Sequence, residues 1–503
     1  MKKDCVMKDI KTIWDLLADA ASDPERMHRL YKDAVNHTEH DREELFSDSK
    51  ACAVWFLRNV PGDKIAFICD TSYEFIVAYY GCIGSGKTAV MINKGLSDET
   101  IAELLDQTET TTVVYDARKE RMMQINSMAE HEITGILLQG EENSAARQRK
   151  EDKQEDFIPD LDPEDMAVLV FTSGTTGKMK GVMLSHRNLV TNVFDIKNGT
   201  DYTKDDRVVS MLPPSHVFGL NIEILLITYL GTELIFEKSI ASAFKNLPKT
   251  EPSVLIMVPM MVNLLAMKTI GAERAMPESS QEERKAAVMG RNLRAIGCGG
   301  AKNNAAMILK MSQYGVSCRP GYGLTELSPI VTINMAGPAN PTADGKVVDS
   351  LKMRIKDGEI QLQGPTVAMG YYHAQDEWDA MWDGKWFKTG DLGYVDETGM
   401  LVLTGRKKNL IVTSSGENVS PEEIEEKYGH CPEITEVIVR AEGDQIIAEL
   451  FAKNGITQER ADEISAEVNR TQAVFARVMK TVIRTEEFQK NTAGKILRTA
   501  ANA

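Results

Sequence analysis

Positive charge is what this chain most lacks. Its 503 residues include 58 lysines and arginines against 74 aspartates and glutamates, a net charge of −16. A surface of that sign repels phosphate backbones and anionic lipid headgroups, which excludes nucleic-acid binding and strong membrane attachment as the principal task. ATP is not excluded, because a locally basic loop can hold phosphate on an acidic protein. Cysteine is scarce too. The seven (Cys5, Cys52, Cys69, Cys82, Cys298, Cys318 and Cys431) are odd in number and scattered, with no C-x-x-C pair. That pattern argues against a disulfide framework or a zinc site and for a reducing, cytoplasmic setting. Long apolar runs are missing: the most apolar segments, residues 218–230 and 254–267, are too short or too interrupted to span a bilayer. Lys2 and Lys3 are followed by Asp4, Lys8, Asp9 and Lys11 rather than by an apolar stretch, so no leader peptide is expected.

The length exceeds what one hydrophobic core usually supports, so at least two domains are expected. Ile10, Ile13, Trp14 and Leu17 fall at helical spacing. After them, helical patterns alternate with short apolar runs at residues 64–69, 88–92 and 112–115, which predicts βαβ units and a largely parallel sheet. Residues 140–156 are almost all polar and read as an exposed loop, and residues 277–284 as another. Met257, Met260, Met261 and Met267 read first as a helical stripe of core packing and second as pocket lining. Past Asn334 short strands with glycine turns predict a β-rich subdomain. Beyond Gly405 strands and amphipathic helices predict a small α+β domain.

The most informative run is Ser173-Gly-Thr-Thr-Gly-Lys-Met-Lys-Gly181, set between apolar strand-like residues 167–171 and 182–184. Glycines let a backbone turn tightly and aim its N–H groups inward, which makes an anion-binding concavity. Three hydroxyls add donors, and Lys178 and Lys180 add charge on flexible stems. Such a loop suits polyphosphate. A second run, Gly81-Cys-Ile-Gly-Ser-Gly-Lys-Thr88, satisfies the P-loop pattern G-x-x-x-x-G-K-[ST]. A working P-loop needs a strand before it and a helix after it. Here Tyr73, Ile76, Val77 and Tyr80 predict a helix before the glycines, and residues 88–92 predict a strand after them. The context is inverted, which argues against a P-loop NTPase.

Further motifs follow in order: Gly299-Gly-Ala301, Tyr322-Gly-Leu-Thr-Glu326, Phe387-Lys-Thr-Gly-Asp391, Gly405-Arg-Lys-Lys-Asn-Leu-Ile411 and Lys490-Asn-Thr-Ala-Gly-Lys495. Together with the residue 173–181 loop they resemble the signature motifs of the acyl-adenylate-forming enzymes: acyl-CoA synthetases, adenylation domains and luciferases. The wording of residues 405–411 and 415–425 is most similar to long-chain and related acyl-CoA synthetases, which favours an aliphatic acid. The resemblance implies an α/β fold. A large N-terminal domain of two α/β sheets plus a β-barrel would span residues 1–404. A hinge would lie at 405–409 and a small mobile α+β lid at 410–503.

By the same resemblance, Ser173, Gly174, Thr175, Thr176, Gly177, Lys178, Lys180 and Gly181 would cradle the β- and γ-phosphates of ATP. Tyr322 would lie against adenine, with Gly299, Gly300 and Ala301 giving backbone contacts and Gly323 close by. Thr325 would donate to the α-phosphate, and Glu326 would offer Mg²⁺ a hard carboxylate oxygen. Asp391 would accept from the ribose hydroxyls and Arg406 would complete the clamp. Lys495 would bridge the substrate carboxylate and the α-phosphate. Lys408 would occupy the hinge, His216 in Pro213-Pro-Ser-His-Val-Phe-Gly219 would gate the acyl site, and Gly416 would line the pantetheine tunnel. The implied reaction activates a small carboxylic acid as acyl-AMP and passes the acyl group to CoA or to an acyl carrier protein acting in trans. A non-catalytic nucleotide- or acyl-binding protein is the alternative outside enzymes. Met179 and Gln489 stand where proline is common in the family, and neither removes a charge the chemistry needs.

Overall fold

Successive residues of the first sheet's central strands are buried in opposite apolar clusters. The computed structural model describes residues 10–27, 31–33, 38–116, 119–138, 157–173, 179–413, 417–429, 431, 433–443, 445–490, 496 and 498. Ile65, Phe67, Ala89, Met91, Val168 and Val170 point into one apolar cluster, while Ala66, Ile68, Val90, Ile92, Val113 and Leu169 point into another. That two-residue period is the signature of strands covered on both faces. The strands Lys64–Ile68, Thr88–Met91, Thr112–Tyr115, Thr134–Leu137 and Met166–Ser173 form parallel ladders, and Met179–Ser185 and Gly370–Tyr371 extend them antiparallel into a seven-stranded sheet. The expected βαβ alternation is thus present. The helices Asp98–Gln107 and Lys119–Met128 cover the outer face with Ile101, Leu104, Leu105, Met122 and Ile125.

A second sheet has nine strands. Its central ladder, through Ser317–Gly323, Ala295–Cys298, Val254–Met257, Arg207–Val209, Glu233–Phe236 and Tyr31–Asp33, is parallel. Helices fill the shared core. In Tyr73–Gly84 every residue but Glu74 is buried, which marks a helix enclosed on all sides. Ser72 starts it, its hydroxyl accepting from Phe75 N at 3.1 Å. Strand Thr88–Met91 follows, so the Gly81–Thr88 run has the helix-before, strand-after order that the sequence predicts.

Two readings are corrected. The methionine stripe is not one helix: Met257 ends a buried strand, and a helix begins at Pro259, placing Met261 inside but leaving Met260 and Met267 exposed. Proline fits the first helical turn because the N–H it lacks would be unpaired there. The loop expected at residues 277–284 becomes a helix from Gln281, capped by Ser280, whose hydroxyl accepts from Glu283 N at 3.2 Å. The β-rich subdomain is built on a five-stranded antiparallel sheet in which the long strand Trp386–Val395 pairs with three others, and Leu401 bridges it to Gly345. The polar stretch at 140–156 lies outside the described residues.

The C-terminal unit has its own apolar core, built from Ile424, Tyr428, Val439, Ile446, Leu450, Ile464 and neighbours. Strands Glu436–Glu442, Gln445–Phe451 and Val478–Arg484 and helices Pro421–Tyr428 and Gln458–Asn469 supply it. It meets the larger domain through the Ser420 hydroxyl, which donates to Thr404 O at 2.6 Å, and through a Lys302–Glu426 ion pair at 2.8 Å. Among the described residues no helix is long and apolar enough to cross a membrane.

Candidate active site

Strands of all three large sheets carry the described motif residues. Met166–Ser173 and Met179–Ser185 are antiparallel, with Ser173 opposite Met179 and Thr172 opposite Lys180, so they frame the glycine- and hydroxyl-rich segment between them. Gly174, Thr175, Thr176, Gly177 and Lys178 lie outside the described residues, as do Gly416 and Lys495. Lys180 Nζ pairs with Glu377 and stands 5.1 Å from the centre of the Tyr371 ring. Gly181 O accepts from Tyr372 N at 2.8 Å, which ties the hairpin to the residue after Tyr371.

Tyr322 is buried near the end of Ser317–Gly323. Its hydroxyl donates to Asp391 Oδ2 at 2.8 Å, and Arg406 Nε lies 2.9 Å from Asp391 Oδ1. Asp391 and Arg406 are directly opposite in adjacent antiparallel strands, so the ladder itself aligns the acid with the guanidinium. Burial first, and then the Asp391 charge, push the Tyr322 phenol well above its ordinary range, so it remains a donor at neutral pH. Gly323 is required by close approach: a Cβ there would lie 2.0 Å from Pro329 O. Gly299 is buried, while Gly300, at φ +89°, and Ala301 are exposed on the strand-end loop. Thr325 opens a short 3-10 turn that carries Glu326.

Glu326 Oε1 accepts from the Tyr371 hydroxyl at 2.8 Å, and its other oxygen makes no hydrogen bond among the described residues. A half-exposed carboxylate with one oxygen free fits a magnesium ion carried on polyphosphate, since Mg²⁺ keeps most of its waters and takes one or two carboxylates. Among the described residues no cluster of three His, Cys, Asp or Glu could hold a metal by itself. Lys408 follows Arg406 in the turn Lys407–Asn409. Partial burial and the Arg406 charge lower its ammonium pKa, while Asp391 and Glu422 oppose them and Lys180 adds repulsion. The five charges therefore share one electrostatic neighbourhood.

His216 lies on the turn before the π-helix Gly219–Leu226, and burial lowers its pKa, which keeps the ring neutral at pH 7. The sequence reading missed what holds this turn. Glu223 is 1% exposed, and its carboxylate accepts from the Ser210 hydroxyl at 2.8 Å, Met211 N at 3.1 Å and Leu212 N at 3.2 Å. It anchors the strand exit immediately before Pro213. The available signal was one acid inside the apolar run Leu220–Leu226. Burial pushes its carboxyl from 4.5 up to about 8, against those three donors. A group with a raised folded pKa contributes stability that is complete below the unfolded value and is lost as pH rises through the folded one. Glu223→Gln is therefore expected to flatten the decline of Tm between pH 5 and 8, measured by thermal unfolding across pH against the parent; parallel curves would refute this. Tyr371 was also missed, because no motif spacing links it to Glu326.

The profile of the family described as AMP-binding enzyme matches residues 19–372. The chain is 27% identical over 457 residues to 2-succinylbenzoate–CoA ligase of Bacillus velezensis, covering 85% of each. It is 25% identical over 549 aligned positions to a long-chain-fatty-acid–CoA ligase of Bacillus subtilis, covering 97% of this chain and 93% of that one. The fold is shared with o-succinylbenzoate CoA synthetase (MenE) from Bacillus subtilis solved with the acyl-adenylate intermediate OSB-AMP, at a TM-score of 0.79, 23% identity and 98% coverage of both chains. Motifs in register, paired strand ends that assemble them, and a profile match over most of the chain lead to one conclusion: this protein belongs to the AMP-binding enzyme family.

Proposed function

We propose that this enzyme is an ATP-dependent acid–thiol ligase that activates an aliphatic carboxylic acid as acyl-AMP and transfers the acyl group to CoA. The observation that carries this reading is the convergence of Tyr322, Asp391, Arg406, Glu326 and Lys180 beside the glycine-rich hairpin. Relatives named as CoA ligases support the acceptor, and the solved acyl-adenylate complex of a protein of the same fold supports the intermediate.

In the first step a carboxylate oxygen attacks the α-phosphorus, the bond from α-phosphorus to its bridging oxygen breaks, and pyrophosphate leaves with the electron pair. Two anions must meet, so positioned cations are the main lever. Asp391 and Tyr322 would hold ribose and adenine, and Arg406 would close over them. Glu326 would meet a magnesium ion brought with ATP, whose charge offsets that on the departing pyrophosphate. Lys180 would exchange Glu377 for phosphate oxygens. Lys495 would bridge carboxylate and α-phosphate. In the second step the CoA thiol loses its proton, its sulfur attacks the acyl carbon, and AMP leaves. Between the steps the unit at 410–503 would turn about residues 405–409, with Lys408 at the pivot and Gly416 entering the pantetheine channel. Lys490 and Ile496 are joined by an antiparallel bridge, and Arg498 pairs with Glu425, so Ile496 and Arg498 are tied to the C-terminal unit.

The test is carboxylate-dependent pyrophosphate release from Mg-ATP, across aliphatic and aryl acids, with and without CoA. Release that requires an aliphatic acid and turns over faster with CoA is expected. Release that CoA does not accelerate would transfer the acceptor role to a carrier protein, and no release with any acid would overturn the reading.

A further inference from the structure

The carboxylate suited to a metal ion and the phosphate hairpin belong to different sheets. Glu326 sits on the short turn just past Ser317–Gly323 of the nine-stranded sheet, whereas Lys180 lies in Met179–Ser185 of the seven-stranded one. A polyphosphate that carries a metal ion would meet both, so their spacing needs a physical link. Residues 368–372 supply one. On one side this segment is registered on the hairpin. Gly370 and Tyr371 pair with Met183 and Val182, Met369 N donates to Met183 O at 2.9 Å, and Tyr372 N donates to Gly181 O at 2.8 Å. On the other side it grips Glu326 twice. Ala368 N donates to the Glu326 backbone O at 2.9 Å, and the Tyr371 hydroxyl donates to Oε1 of its carboxylate at 2.8 Å.

The phenol that makes the second contact is itself held still. Tyr371 is 6% exposed, and Trp378 on the short helix Gln375–Asp379 meets its ring edge-on, with centres 5.2 Å apart. Trp378 is in turn buried against Phe387. Lys180 Nζ stands over the Tyr371 ring and pairs with Glu377, the residue before Trp378. A ring fixed in this way loses little further rotamer freedom in aiming its hydroxyl, so its hydrogen bond selects one orientation of the Glu326 side chain. Oε2 is then the oxygen left for a metal ion. A carboxylate held by such a partner binds metal better than a free one, and loss of the partner typically lowers metal affinity about 10- to 100-fold.

We propose that Tyr371 is a positioning residue for metal-bearing nucleotide: its hydroxyl fixes Glu326 at a set reach from the phosphate hairpin and leaves Oε2 for the magnesium ion that ATP brings. This rests on the nucleotide site of the reading above and adds to it a residue that none of the motifs contains.

The experiment is calorimetric titration with ATP, no acid being present, in excess Mg²⁺ and in excess EDTA, beside Tm for each variant. The parent is expected to bind Mg-ATP at least about tenfold tighter than metal-free ATP, and Glu326→Gln to lose that preference. Tyr371→Phe keeps the ring and its contact with Trp378. It is expected to weaken Mg-ATP binding about tenfold while metal-free ATP stays within about twofold of the parent. A Tyr371 that only supports packing would lower Tm and weaken both forms by the same factor. That result overturns the inference, as does unchanged binding of Mg-ATP by Tyr371→Phe or a parent that binds ATP without metal preference. The ligase reading would survive each of these, since it is decided by acid-dependent pyrophosphate release in the parent. A parent that binds no ATP in either buffer overturns both.

Discussion

Replacing Lys495 with alanine is expected to lower acyl-AMP formation by about a hundred- to a thousandfold, the loss typical of removing one preorganised group that stabilises transition-state charge. The second half-reaction should survive, because displacement of AMP from a supplied acyl-adenylate does not bring two anions together. The measurement is single-turnover pyrophosphate release beside acyl-CoA formation from synthetic acyl-AMP. Equal losses in both would assign Lys495 a structural role instead. Lys87→Ala is the matched control. Lys87 lies between the helix Tyr73–Gly84 and the strand Thr88–Met91, with its ammonium against Gly62 O, so it should leave both half-reactions within about twofold of the parent. A collapse of ATP turnover in Lys87→Ala would revive the P-loop reading.

Asp391→Ala should damage stability and nucleotide binding together. Asp391 is 4% exposed and accepts from Tyr322 while facing Arg406. Its removal strands a buried phenol and part of a guanidinium, a loss of about 2–3 kcal/mol by the usual worth of hydrogen bonds to charged groups. Because the same carboxylate would accept from ribose, KM for ATP should rise about ten- to a hundredfold. Asp391→Asn separates the two effects. It keeps an acceptor for Tyr322, so most of the stability should return, whereas a neutral amide beside Arg406 leaves ATP binding impaired. Denaturant unfolding and ATP-dependent kinetics of the two variants check this. An unchanged KM in both would remove Asp391 from the nucleotide site.

Some of this was legible in the residues alone. The glycine, hydroxyl and lysine content of residues 173–181 pointed to phosphate binding, because backbone freedom and donor chemistry are local properties. The inverted order around Lys87 was legible too, because helix and strand periods differ over a few residues. Periodicity failed at residues 254–267, where a four-residue strand runs through Val258 into a helix and both are apolar, so their methionines looked like one stripe. The start of the helix at Pro259 was the clue.

Chemistry by residue type was therefore set by the sequence itself: which groups donate, which carry charge, and which motifs follow one another. Only the tertiary structure decided which of them meet. Tyr322 and Asp391 are 69 residues apart, Glu326 and Tyr371 are 45 apart, and Arg319 reaches Asp201 across 118. Strand order in these sheets is not chain order, so such pairings depend on which strand ends become neighbours. The burial of Glu223 against three donors is likewise a property of packing among several elements, which no local pattern in the chain encodes.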